Sequence, residues 1–313
     1  MPASSQPLSS LLPLDVLCIG HAACDVSLFV DQYPPENSKC ETHESLEACG
    51  GPAANAAWLL SSWGLRCGFA GLVGDDVHGR RIRDEFTAAG TDVSLLELRA
   101  GHATPLSMIL VNRPTGSRTI INRKLKGASL SLDAATLKPL SPRVLLFDGH
   151  ELAASLNALQ AFPHAVSILD AGSWREGTAA LAGKVDYLAA SERFALQATG
   201  MTSLQGEPER IECLAKLSES FGTKTIITLG ERGLIFDMGD GFRHLPAFPA
   251  NTVDTTAAGD IFHGALAFAI ADGMPLTEAL RLASMTASLS VREVGGRSSI
   301  PSLAAVKEAL SQV

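Results

Sequence analysis

Short apolar runs alternate with longer amphipathic stretches along most of this chain. Residues 14–20 read as a buried first strand, and 26–30 as an extended piece that continues it after a turn. Residues 33–47 are polar, carry Pro34 and Pro35, and then regain extended character. Over 53–63 small residues come first and Trp58, Leu59, Leu60 and Trp63 follow, stopped by Gly64, which predicts a helix. A strand over 67–73 and an amphipathic helix over 78–89, ended by Gly90, come next. Segments 104–112 and 118–122 flank Pro114, Thr115 and Gly116 and predict a hairpin.

In the second half, apolar strands at 144–147, 166–169, 185–189, 225–229 and 234–236 are separated by helical patterns at 153–162, 174–181 and 209–221. The strand at 234 follows the turn at 230–233 directly, so those two strands predict a hairpin. Helices beginning at 258, 277 and 302 close the chain. Such alternation predicts an α/β fold whose central, mostly parallel sheet is covered on both faces. The hairpin at Gly116 and the extended residues 26–47 fall outside the alternation and predict a small separate sheet.

Composition narrows the classes of function. The 313 residues are 46% apolar and 19% charged, as in a folded soluble chain. A net charge of −8 argues against nucleic acid or an anionic membrane as the partner. Cys18, Cys24, Cys40, Cys49, Cys67 and Cys213 form no C-x-x-C pair and read as free thiols of a reducing, cytoplasmic setting. Residues 1–13 are rich in Ser and Pro, lack a basic region and read as a disordered tail, not a secretory signal. No apolar run reaches the length of a membrane span. No G-x-x-x-x-G-K-S/T occurs and no G-x-G-x-x-G follows the first strand, which argues against P-loop and Rossmann chemistry.

The segment Asp254-Thr255-Thr256-Ala257-Ala258-Gly259-Asp260 carries the clearest chemistry. A strand-like approach over 251–253 leads to small residues at the start of a helix, where N–H groups have no intrahelical partner and meet the positive end of the dipole. That is an anion cradle. Asp260, in the first turn, is badly placed to hold an anion and well placed to take a proton from a hydroxyl attacking it. In isolation the plainer account, a threonine cap with a dipole-pairing acid, would prevail. The rest of the chain supplies company.

The segment resembles the D-T-x-x-A-G-D signature of the ribokinase-like (PfkB) carbohydrate kinases. The N-terminal half matches the other signature of that family: Gly50-Gly51-Pro52-Ala53-Ala54-Asn55-Ala56-Ala57, then Gly64, Gly71-Leu72-Val73-Gly74-Asp75-Asp76 and Gly79, with Asp25 before both at the end of a first strand. The signatures lie roughly 200 residues apart in the order of the family, and the likeness runs from about Leu14 to Pro301. It is nearest to ketohexokinase-like, fructokinase-like and sulfofructose-kinase-like members. It implies a ribokinase-like three-layer α/β/α domain over 14–313 with a small β lid from about 26–49 and 104–124. It also implies a homodimer through that lid, and a cytoplasmic kinase that uses ATP and Mg²⁺, with K⁺ as a further candidate.

Roles follow residue by residue. The resemblance makes Asp260 the base and the amides of Ala257, Ala258, Gly259 and Asp260 the anion hole. Alanine at 257, where the family more often has glycine, implies a negative φ there. Asp25, Gly50, Gly51 and Asn55 would meet the sugar. Lys39 and Asn122 are softer candidates for its far end, where Arg123 and Lys124 could bind an anionic substituent, although solvated lid surface is the plainer reading for those two; His150, after a strand at its C-terminal end, could contact the sugar. Thr228, Gly230 and Gly233 resemble a T-x-G-x-x-G nucleotide turn. Where the family has N-x-x-E this chain has Ser191-Glu192-Arg193-Phe194, so Ser191 stands for the asparagine, the acid is missing and Glu192 is a partial substitute. Asp254 and Ser299 resemble parts of a monovalent-cation site. The function implied is an ATP-dependent kinase acting on a primary hydroxyl of a ketohexose or related pentose. The alternatives are a sulfosugar kinase, a nucleoside kinase of the same fold, or a sugar-binding regulator without catalysis.

Overall fold

The structure is a computed structural model and describes residues 14–115, 117–125, 127–237 and 241–313. The expected tail and Gly116 lie outside the described residues. The first half contains β1 (Val16–Ile19), β2 (Ala23–Val30), β3 (Ser45–Gly50), α1 (Pro52–Ser62), β4 (Cys67–Gly74), α2 (Val77–Ala88), β5 (Leu96–Arg99), β6 (Leu106–Asn112) and β7 (Arg118–Arg123). Then come α3 (Ala134–Leu137), β8 (Val144–Phe147), α4 (Leu152–Ala161), β9 (Val166–Ala171), α5 (Glu176–Ala182), β10 (Tyr187–Ser191), α6 (Glu192–Thr199), α7 (Glu207–Phe221) and β11 (Lys224–Thr228). The chain ends with β12 (Leu234–Asp237), β13 (Phe242–Leu245), α8 (Ala258–Ala271), α9 (Leu276–Ser290) and α10 (Leu303–Ser311).

Nine strands form one sheet in the order β13-β12-β11-β10-β9-β8-β1-β4-β5. All neighbours are parallel except β11 with β12 and β12 with β13. The alternation of β1 shows why both faces are covered. Val16 and Cys18 belong to the core beneath α1, α8 and α9, whereas Leu17 and Ile19 belong to the core on the other face. A second sheet of four strands runs β3-β2-β6-β7, with β2 and β6 parallel and the outer pairs antiparallel. The fold is the α/β arrangement that the resemblance implied, with a large, mostly parallel sheet and a small second one.

Three expectations are corrected. Residues 26–30 do not prolong the first strand: β1 stops at Ile19, and Asp25 lies inside β2 of the small sheet. Residues 251–253 form no strand, and Val253 is tied to the carbonyl of Val291 instead. The strand expected over 185–189 begins at Tyr187, and Ser191 at its end caps α6, a helix with no loop before it to announce it. No helix among the described residues is long and apolar enough to cross a membrane.

β1 lies between β4 and β8, and their connections leave in opposite directions. A crevice opens at such a reversal, outside the carboxyl ends of the strands. α8 is brought there by close packing. Gly264 faces α1, where a Cβ would stand 3.0 Å from the Cα of Ala56, so α1 and α8 pack at a distance that a larger residue would prevent.

Candidate active site

A cavity of about 450 Å³ occupies this crevice. Of the residues singled out from sequence, Asp25, Gly51, Asn122, His150 and Asp260 line it. They arrive from five separate stretches: β2, the turn before α1, β7, the end of β8 and the first turn of α8.

The start of α8 differs from expectation in one respect. Ala257 has φ 60° and ψ 7°, the left-handed region, where a negative φ was expected. A non-glycine residue held there costs on the order of 1 kcal/mol. The turn must reverse here to aim successive N–H groups outward. The N–H groups of Ala257, Gly259 and Asp260 have no hydrogen-bond partner among the described residues, while that of Ala258 donates to the carbonyl of Thr255 at 3.3 Å. Three amides of the expected four are therefore open. Nothing stands within 4 Å of the position a Cβ on Gly259 would take, so space is clear above the helix end.

Asp260 sits at the cavity floor. Asn55 Nδ2 donates to its Oδ2 at 2.8 Å. The carbonyl of the same amide accepts from Arg297 Nε at 3.3 Å, and Arg297 pairs with Glu85 at 2.9 Å. Asn55 is thus spent on the acid and its support, and does not line the cavity. Burial, then the Asp170 carboxylate, push the pKa of Asp260 up to about 7, against the pull of Asn55 and His263. His263, one turn further along α8, is buried with Nδ1 2.9 Å from Asp170 Oδ2, although the angle is not that of a hydrogen bond. Burial disfavours its charged form, but Asp170 outweighs that and raises its pKa.

Asp25 also titrates above the ordinary carboxylate range, mainly through burial, with Ser107 opposing. Gly50 explains how its carboxylate fits: a Cβ there would lie 2.2 Å from Asp25 Oδ2. Gly51 has φ 109°, and a Cβ would meet the carbonyl oxygen of His21 at 2.3 Å, so only glycine fits.

Asp148 is the organising residue that sequence reasoning passed over. It is wholly buried, and it accepts N–H bonds from His21 at 2.8 Å, His150 at 2.9 Å and Ala53 at 3.2 Å. Those donors belong to the chain after β1, the chain after β8 and the start of α1. Burial would raise its pKa, but His150 and these amides hold it well below the ordinary range. The rings of His21 and His150 stack at 4.5 Å, and burial followed by His150 lowers the pKa of His21 to about 4.

Other expected residues lie elsewhere. Lys39 is exposed in the segment between β2 and β3 and is absent from the cavity wall. Arg123 and Lys124, expected on solvated lid surface, line the cavity together with Arg175 and Arg193. Thr228 ends β11, and Gly230 opens a short 3-10 turn with φ 62°. A Cβ on Gly233 would lie 2.1 Å from the carbonyl oxygen of Leu245, which fixes that turn as glycine. Ser191 accepts from the N–H of Phe194 and donates to the carbonyl of Gly172, and Glu192 Oε2 is bound to Arg232. Among the described residues no group of three His, Cys, Asp or Glu could hold a metal. Asp254 accepts from the N–H groups of Thr256 and Gly295, each at 2.9 Å, and Ser299 donates to the carbonyl of Gly296. Arg118 of β7 reaches across to Asp254, Thr255 and Thr256, a contact between the two sheets' territories that no motif announces.

Comparison with known proteins adds to this geometry. The chain is 27% identical over 310 residues to the deoxyribokinase of Salmonella typhi, covering 95% of this chain and 99% of that protein. It is 26% identical to the ketohexokinase of Mus musculus, covering 87% and 94%. The structure of the Arabidopsis thaliana ribokinase, complexed with ribose and ATP, superposes with a TM-score of 0.83 at 22% identity over 96% of this chain and 99% of that one. The sequence profile described as pfkB family carbohydrate kinase matches residues 13–303. The chain accordingly belongs to the pfkB family of carbohydrate kinases, which are phosphotransferases.

Proposed function

We propose that the protein transfers the γ-phosphoryl group of ATP to a primary hydroxyl of a small sugar, with Asp260 as the base. The observation that carries this reading is Asp260 at the cavity floor beside the unpaired N–H groups of Ala257, Gly259 and Asp260 itself. The sugar lies against Asp25, whose carboxylate accepts from its hydroxyls. As the hydroxyl oxygen bonds to the γ-phosphorus, its proton passes to Asp260 and the bond to the ADP oxygen breaks. The three amides receive the negative charge gathering on the phosphoryl oxygens.

The nucleotide is assigned to the turn after β11, where Thr228 and the side-chain-free Gly230 leave room for phosphates. Mg²⁺ fits as an ion held mainly through phosphate oxygens and water, since the protein offers it no acidic cluster among the described residues. When bound, it neutralises phosphate charge. Deoxyribose and ketohexose kinases among the relatives support a pentose or ketohexose as the acceptor.

The test is Asp260→Asn. Its side chain keeps the shape and can still meet Asn55, but cannot take the proton. Sugar-dependent ATP consumption should fall by about 100-fold or more with sugar affinity largely kept. Turnover within about tenfold of the parent, a barrier change of about 1.4 kcal/mol, rejects the role of Asp260.

A further inference from the structure

Four cations converge on the sugar cavity: Arg123 and Lys124 from the end of β7, Arg175 just before α5, and Arg193 in the first turn of α6. The chain as a whole carries eight excess negative charges, so this gathering is no reflection of a basic protein. Several arginines elsewhere are matched by acids, as Arg66 is with Asp15, Arg81 with Glu47 and Arg297 with Glu85. None of the four cavity cations has a carboxylate partner among the described residues. Arg123 donates to the carbonyl of Thr104 at 2.9 Å. Arg175 donates to the carbonyl of Asp148 at 3.0 Å and to the ring of His150, and its Nε is buried without a partner.

Arg175 is therefore a cation held in orientation by the Asp148 carbonyl and the His150 ring, with one N–H unspent. The acids of the cavity, Asp25 and Asp260, come from β2 and α8, not from the elements that bring the cations. The cations do not belong to the nucleotide turn either, because Thr228, Gly230 and Gly233 take no part in this wall. A neutral sugar would leave these like charges gathered on one cavity wall without a matching anion, which Coulomb repulsion disfavours. A planar oxyanion would match the guanidinium fork and relieve that repulsion.

We propose that the sugar phosphorylated here carries a terminal oxyanion, a carboxylate or a sulfonate, which Arg175 receives together with Arg123 and Lys124 while a hydroxyl elsewhere on the sugar meets Asp260. This rests on the kinase reading for the fate of the sugar, but the charge preference is a property of binding. It is measured without ATP.

Calorimetry on the full-length protein compares a neutral ketohexose with the same ketose bearing a sulfonate, or a carboxylate, on its far carbon. The anionic sugars should bind about tenfold or more tightly, the scale of a single charge-assisted hydrogen bond, and their affinity should fall as salt rises. Arg175→Gln should erase that advantage while leaving the affinities for the neutral ketose and for ATP within about threefold of the parent, which a merely structural role would not do. Lys124→Gln, an exposed position, should lower anionic-sugar affinity in the same direction and serves if Arg175→Gln does not fold. Comparing the sulfonate and carboxylate arms identifies the anion. Equal or tighter binding of the neutral ketose overturns the proposal, as does loss of ATP affinity in place of sugar affinity. Arginine-dependent binding of an anionic sugar that is never phosphorylated would uphold the charge preference and reject the assigned reaction.

Discussion

Asp260 titrates near neutrality because it is buried and faces Asp170, and this gives it two pH signatures. Only the ionised form accepts a proton, so kcat/KM should rise with pH through about 7 and level above it. Stability runs the other way. In the unfolded chain the group loses its proton near 3.8 and in the folded one near 7. Between those values the folded state holds the extra proton, so this group's contribution falls as pH rises through that window. Asp260→Asn should therefore be more stable than the parent at about pH 8, by up to about 4 kcal/mol, with the gain vanishing near about pH 4. Thermal melts at the two pH values check it, and equal differences at both would contradict the burial argument. His263 enters the same balance from behind, and no spacing in the sequence joins it to Asp170, which lies on β9.

At the scale of elements, the apposition of α1 and α8 is what brings Asn55 to Asp260. Gly264→Val should force these helices apart, destabilising the protein by about 1–3 kcal/mol. It should lower kcat more than it changes sugar KM, because Asn55 supports the acid and not the sugar. Unchanged kcat in a folded variant would show that the helix spacing is irrelevant to catalysis. The elements differ in how plainly the chain spells them. β1, β8, β9 and β11 were legible as short apolar runs because they are buried on both faces. β5 was not, since Leu96-Glu97-Leu98-Arg99 is an edge strand whose charged residues need no burial. α6 was missed because Ser191 is both the end of a strand and the cap of a helix.

Across the whole molecule, the same division separates what motifs reveal from what only topology assembles. Asp260 and Gly51 could be found because local backbone geometry dictates the residues around them. Arg175 could not, because it is an ordinary polar residue in its own segment and gains meaning only when the sheet order sets it beside Arg123, Lys124 and Arg193. Asp148 is the extreme case: a single carboxylate fastens three strands of chain that are distant in sequence. A knot of that kind loosens all at once or not at all. Deuterium should thus enter the amides of His21, Ala53 and His150 at matching free energies of opening, in one cooperative event. Widely different protection at those amides would mean that each end frays independently, and that the crevice is put together afresh by its occupant.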